Sequence, residues 1–175
     1  MQAPLLPRQV ELKRLGSGRH AYEGQVPVEA LAELEGAGER PGPVQASIML
    51  DLSGSMPRVT GRCEGSIQLQ CQRCLEPVDV ALESEFELVV VDRASDADGL
   101  DEGQTWVEAP RGIMDLARLA EEEMLLALPV VARHENADCD GGQRHFGPPG
   151  EPQPERDNPF AALKALREKG SPSDE

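Results

Sequence analysis

The sequence predicts an α+β fold: an antiparallel sheet with a packed helix, flexible acidic flanks and a short C-terminal helix. Three observations predict it. Apolar and polar residues alternate over 44–52 and again over 78–91, the period of a strand buried on one face. Residues 112–128 carry apolar side chains at three- and four-residue spacing, the period of a helix lying on a core. Gly and Pro cluster near the start, at 36–43 and between 141 and 159, where regular structure is broken. The expected organisation is one α+β domain over 8–140, a Gly/Pro-rich linker over 141–157 and a helical segment over 158–169.

Taken in order, residues 8–35 open with a short apolar alternation at Val10 and Leu12. A helix is expected behind Pro27, with Val28, Leu31 and Leu34 on one face and the proline near its first turn. The run from Gly36 to Pro43 ends it. Val44, Ala46, Ile48, Leu50 and Leu52 form the buried face of the first clear strand. Ser53–Pro57 reads as a turn, and Val59–Cys63 with Gly65–Gln70 as one further strand, bulged at Gly65.

Residues 71–77 read as a tight turn joining antiparallel strands. In the strand that follows, Val78, Val80, Leu82, Phe86, Leu88 and Val90 share one parity, and Asp79, Glu83, Glu85 and Glu87 share the other. One face is apolar and the other acidic and wet. The acidic stretch 92–103 reads as a loop, with an edge segment at Trp106 and Val107. The main helix presents Ile113, Leu116, Ala117, Ala120, Met124 and Ala127; Asp115 complements its positive start and Pro129 ends it. In the last helix Asn158 caps, Pro159 fits the first turn, and Phe160, Leu163 and Leu166 form the apolar side.

The 175 residues suffice for one domain with a core, and hydrophobic residues make up 39% of them. The formal net charge of −15 repels a polyphosphate at long range and attracts a basic partner. It equally serves plain solubility. No segment approaches the ~20 apolar residues that span a bilayer. Residues 1–7 lack the charged n-region and apolar run of a secretory signal. A cytoplasmic location is the expectation, and thiols there stay reduced. The four cysteines are therefore read as ligands or core residues rather than disulfides.

The pair Cys71-Gln72-Arg73-Cys74 can aim two sulfurs at one atom, which suits either a metal or a redox disulfide. A purely structural pair is the third reading. Redox pairs of the thioredoxin kind sit at a helix start, and no helix pattern follows Cys74. His134 and Cys139 offer two further donors. Three thiols and one imidazole would fill the shell of a structural zinc ion, pinning the segment after the main helix to the cysteine turn. H-x4-C is weak by itself, and an exposed loop histidine with a lone thiol is the alternative. His145 is a reserve ligand, and Cys63 is read as a strand residue. Arg73 either offsets thiolate charge, reaches a phosphate, or makes no specific contact. No glycine-rich phosphate loop, G-x-S-x-G or H-E-x-x-H is present, so no catalytic residue is assigned.

Cys71-Gln72-Arg73-Cys74-Leu75-Glu76-Pro77-Val78, with the long strand after it, resembles the core motif of the YceD family of large ribosomal RNA subunit accumulation proteins. Further stretches fit in order: Asp115-Leu116 through Glu121-Glu122-Glu123 and on to Pro129-Val130-Val131, then His134 with Cys139, then Asn158-Pro159-Phe160-Ala161-Ala162-Leu163. Tyr22-Glu23-Gly24 fits loosely. The resemblance implies a bacterial cytosolic or plastid protein that supports synthesis, processing or stability of large-subunit (23S) ribosomal RNA without being an enzyme. Its partner is then that RNA, met directly or indirectly, or a basic ribosomal protein or assembly factor. Zinc is not implied by the family; it rests on the four donors here. A local basic patch (Arg58, Arg62 and Arg73) is one route to RNA despite the overall charge. Two other readings stand beside this one: a thiol redox protein using Cys71 and Cys74, and an acidic adaptor for a basic protein.

Overall fold

The computed structural model describes residues 4–39, 41–135 and 139. The chain divides into two compact units, Met1–Gly141 and Gly142–Glu175, and the described residues all belong to the first. The predicted linker, the C-terminal helix and His145 lie outside them.

Five strands form the main sheet, in the order β2-β3-β4-β5-β6. They are β2 (Arg19–Gln25), β3 (Gln45–Asp51), β4 (Arg58–Gln70), β5 (Pro77–Val91) and β6 (Trp106–Glu108). All pairings are antiparallel except β5 with β6, which is parallel. A second, two-stranded sheet joins β1 (Gln9–Glu11) to β7 (Ile113–Asp115). Helix α1 covers Ala32–Ala37 and α2 covers Leu116–Leu126. The expected α+β class is what the structure has. No helix among the described residues is long and apolar enough to cross a membrane.

The period-two pattern places the core. Ala46, Ile48 and Leu50 of β3 pair with Cys63, Gly61 and Val59 of β4, so one sheet face collects the apolar side chains. Against it lie Leu116, Ala117, Leu119, Ala120 and Met124 of α2, all buried, with Leu31 and Leu34. The opposite face of β5 keeps Asp79, Glu83, Glu85 and Glu87 in solvent, as the alternation predicts.

Four expectations need correction. The sheet has a strand that the pattern over 8–35 did not predict, because β2 adds an edge strand beside β3. Its core-facing positions are His20, Tyr22 and Gly24, so it carries almost no apolar alternation. Gly65 is not a bulge: β4 pairs with β5 without interruption through Gly65 and Leu82. A Cβ at Gly65 would lie 3.0 Å from Met124 Cε and 3.1 Å from Val44 Cγ2, so the glycine lets α2 approach the sheet. The segment after Pro27 begins as a 3-10 turn over Val28–Ala30. Val28 is consequently 54% exposed while Leu31 and Leu34 are buried. The main helix starts at Leu116, because Ile113–Asp115 is taken by β7. Ile113 therefore leaves the core stripe, and Asp115 caps the helix by accepting the Arg118 N–H at 3.0 Å.

Two glutamates of α2 point inward. Glu123 accepts the Ser84 hydroxyl at 2.8 Å, which ties α2 to β5. Glu121 Oε1 accepts the N–H groups of Glu33 at 2.7 Å and Leu34 at 3.3 Å. These are first-turn donors of α1, and no side chain of α1's own N-cap residue serves them. Glu121→Ala is expected to lower stability by about 1–3 kcal/mol, since the buried Leu34 N–H and the half-buried bond from Glu33 lose a charged acceptor. Glu122→Ala removes only a surface pair with Arg118 and should cost about 0–1 kcal/mol. Urea unfolding midpoints of the two variants would separate the effects, and equal losses would contradict the cap.

Candidate metal centre

β4 and β5 run on together past their neighbours. β3 pairs with β4 only as far as Glu64, whereas the hairpin continues to Gln70 and Pro77. Its tip is the loop 71–76. There the Cys71 N–H donates to the Glu76 carbonyl at 2.9 Å, and the Leu75 N–H to the Cys71 carbonyl at 2.9 Å. Leu75 takes a left-handed conformation, φ 67°, and Gln70 Nε2 bonds its carbonyl at 3.2 Å. This tight closure sets the two cysteines of the loop side by side.

The chain leaving α2 returns to the same tip. The Gln72 N–H donates to the Ala132 carbonyl at 2.9 Å. Ala132 packs with Cys71 and Val78 in a small apolar cluster that Leu69, Val80, Cys74 and Cys139 border. His134 Nε2–H donates to the Pro77 carbonyl at 3.0 Å. That bond fixes the tautomer and leaves the Nδ1 lone pair facing the sulfurs.

Cys71, Cys74, His134 and Cys139 thus meet. Their donor atoms all lie within 4.8 Å of one another. Sγ of Cys71 is 3.5 Å from Sγ of Cys139. His134 Nδ1 is 3.5 Å from Cys74 Sγ and 3.4 Å from Cys139 Sγ. Four donors at such separations form a group able to hold one small metal ion.

The local field acts unequally on the three thiols, favouring the thiolate at Cys71 and Cys139 and opposing it at Cys74. Burial opposes a thiolate at Cys71, but N–H groups of Cys74, Arg73 and His134 and the Cys139 thiol outweigh it and bring the thiol down to about 5. Cys139 is also lowered: burial opposes it, and Arg73, Cys74 and His134 overcome that. Cys74 is raised; the Glu76 N–H favours its thiolate, and burial with the Cys139 and Cys71 sulfurs prevails. Hydrogen bonding to Cys139 and Cys71 raises the His134 imidazole.

Arg73 does make a specific contact. Its hydrogen bond to Cys139 raises the guanidinium above its ordinary range. Of the three readings its place between the cysteines allowed, this contact matches the one in which Arg73 offsets thiolate charge. Pro77 and Ala132 act through their carbonyls, which a sequence of side chains does not reveal. Cys63 lies elsewhere, buried on the core face of β4, where burial pushes its thiol up to about 12. The basic patch is not formed. Arg62 sits nine residues from Cys71, about 30 Å along a strand, and is held by Glu64 at 2.6 Å, Glu83 at 2.5 Å and Glu85 at 3.4 Å. Arg58 pairs with Glu87 at 3.0 Å.

Residues 59–167 match the family model described as Large ribosomal RNA subunit accumulation protein YceD. The chain belongs to this family. The matched stretch takes in the β4–β5 hairpin, α2 and all four clustered donors. A relative from Haemophilus influenzae with that same description is 36% identical over 112 residues, which cover 62% of this chain and 64% of the relative. The chain thus spans somewhat under two thirds of that relative's length. No solved structure matches it.

The depressed Cys71 value has a measurable consequence in metal-free protein. A thiol lowered from 9.0 to about 5 contributes stability that is fully present above 9.0 and lost as pH falls through about 5. Urea midpoints of chelator-treated protein should therefore fall from pH 9 to pH 5 more steeply for wild type than for Cys71→Ser. Parallel curves would show that the loop does not favour the thiolate.

Proposed function

We propose that this chain supports accumulation of large-subunit (23S) ribosomal RNA in the bacterial cytoplasm without catalysing a reaction. A structural zinc ion at Cys71, Cys74, His134 and Cys139 would then tie the β4–β5 hairpin to the segment after α2. Family membership carries the first half of this reading. The convergence of four zinc-type donors supports the second.

The donor set suits zinc. Zinc binds sulfur at about 2.3 Å and nitrogen at about 2.0–2.1 Å, so tetrahedral edges are about 3.8 Å between sulfurs and about 3.6 Å from sulfur to nitrogen. The contacts of 3.4–3.5 Å lie close to those edges. Bound zinc would complete a closed shell and supply folding energy rather than a reactive position. Three thiolates and a neutral imidazole leave one excess negative charge on such a centre, and Arg73 is placed to offset it. A redox role for Cys71 and Cys74 is disfavoured because the Cys71 residue is 0% exposed, and an attacking thiolate needs access.

Charge favours an indirect route to the RNA. The net charge is −15, and the arginines of the wet sheet face are already engaged by Glu83, Glu85 and Glu87. Phosphates are repelled by that surface, while a basic ribosomal protein or assembly factor is drawn to it.

Purified protein should carry one zinc per chain, and Cys74→Ser should lose both the metal and thermal stability. Metal analysis and melting curves of the pair test this, and a zinc-free, equally stable wild type would end the zinc reading. In cells lacking this chain, large-subunit RNA should fall relative to small-subunit RNA and recover on re-expression. An unchanged ratio would overturn the ribosomal reading.

A further inference from the structure

β6 ends the main sheet and leaves an open edge. The Thr105 carbonyl accepts the Val89 N–H at 3.0 Å, and the Ala109 N–H donates to the Val91 carbonyl at 2.8 Å. The odd-numbered residues therefore serve β5, and the N–H and C=O groups of Trp106 and Glu108 point away from it. Among the described residues nothing pairs with them. They face a groove of about 580 Å³, walled on its far side by β7 and the first turns of α2.

The groove has a mixed lining. Trp106, the one tryptophan of the chain, is 40% exposed, and Ile113 is 38% exposed. Both line the groove together with Val107 and Leu119. Glu108, Asp115 and Glu122 supply carboxylates. The cations nearby are committed to them: Arg118 lies 2.7 Å from Glu122, and Arg8 lies 4.0 Å from Asp115. Glu108 has no such counter-ion among the described residues.

We infer that this groove docks an extended peptide segment of alternating apolar and basic residues, added to β6 as a further strand. The inference rests on the reading that a basic protein is the direct partner. The visiting backbone pairs with Trp106 and Glu108, whose strand offers about 10 Å of edge. An apolar side chain seats between Trp106 and Ile113, and a lysine or arginine meets Glu108. A nucleic acid is the poorer occupant, because its phosphates would approach three carboxylates.

Trp106 makes the test direct, since all tryptophan emission comes from the groove. Full-length protein is titrated with an acetylated heptapeptide of alternating valine and lysine. The expected result is a saturable blue shift of Trp106 emission. Glu108→Arg, a change at an exposed position, should weaken the response about tenfold or more while leaving the melting curve unchanged. A peptide with glutamate for lysine, or with a central proline that removes a strand donor, should give no shift. Absence of a shift with the lysine peptide overturns the inference, as does an equal shift with the glutamate or proline peptide. A shift with oligouridylate but not with the peptide assigns the groove to nucleic acid, and concentration-dependent self-association that abolishes the peptide response assigns it to a second copy; either overturns the inference. In cells lacking the chain, wild type that restores large-subunit RNA yet binds no peptide defeats the groove alone. Wild type that fails to restore the RNA defeats the underlying reading instead.

Discussion

A hairpin that outruns its sheet must be held at its tip, and much of this structure follows from that constraint. β4 and β5 continue for six residues after β3 has stopped pairing. One flank of that extension is covered by the bridge between Glu39 and Gln68. The tip is secured from the other end of the fold, by the chain that leaves α2. Two backbone carbonyls, those of Ala132 and Pro77, take the first bonds. The three sulfurs and one imidazole then occupy a space enclosed by those contacts. The polar group is thereby assembled at the boundary between a small apolar cluster and solvent, with Cys71 buried and Cys74, His134 and Cys139 half-buried.

Electrostatics divides the molecule by face. Carboxylates on the wet face of the sheet hold Arg58 and Arg62 in pairs, which consumes the positive charge that a nucleic-acid surface would need. Buried carboxylates do different work, since Glu121 and Glu123 serve as hydrogen-bond acceptors inside the fold. A single count of charge therefore conceals two populations, one facing solvent and one fastening helices.

The parts of the fold legible in the sequence are those where burial follows period. β3, β5 and the body of α2 are strongly patterned, and their core faces emerge from spacing alone. β2 was not legible, because His20, Tyr22 and Gly24 give its core face no consistent hydrophobic signal. β7 was hidden inside the helix pattern, because Ile113 and Leu116 keep helical spacing although a strand pairing claims the first of them. Cys71 and Cys74 are conspicuous through their short separation. Their approach to His134 and Cys139 is a tertiary fact, set by the direction in which the chain leaves α2, and the residues that set it act through main-chain carbonyls. Arg73's turn toward Cys139 belongs to the same class.

The cap that Glu121 provides for α1 ties two segments 88 residues apart in the chain. Helix α1 is six residues long, far below the length at which an isolated helix persists in water. A fragment ending before α2 would therefore lack both the carboxylate that receives these first-turn donors and the packing that makes so short a helix persist.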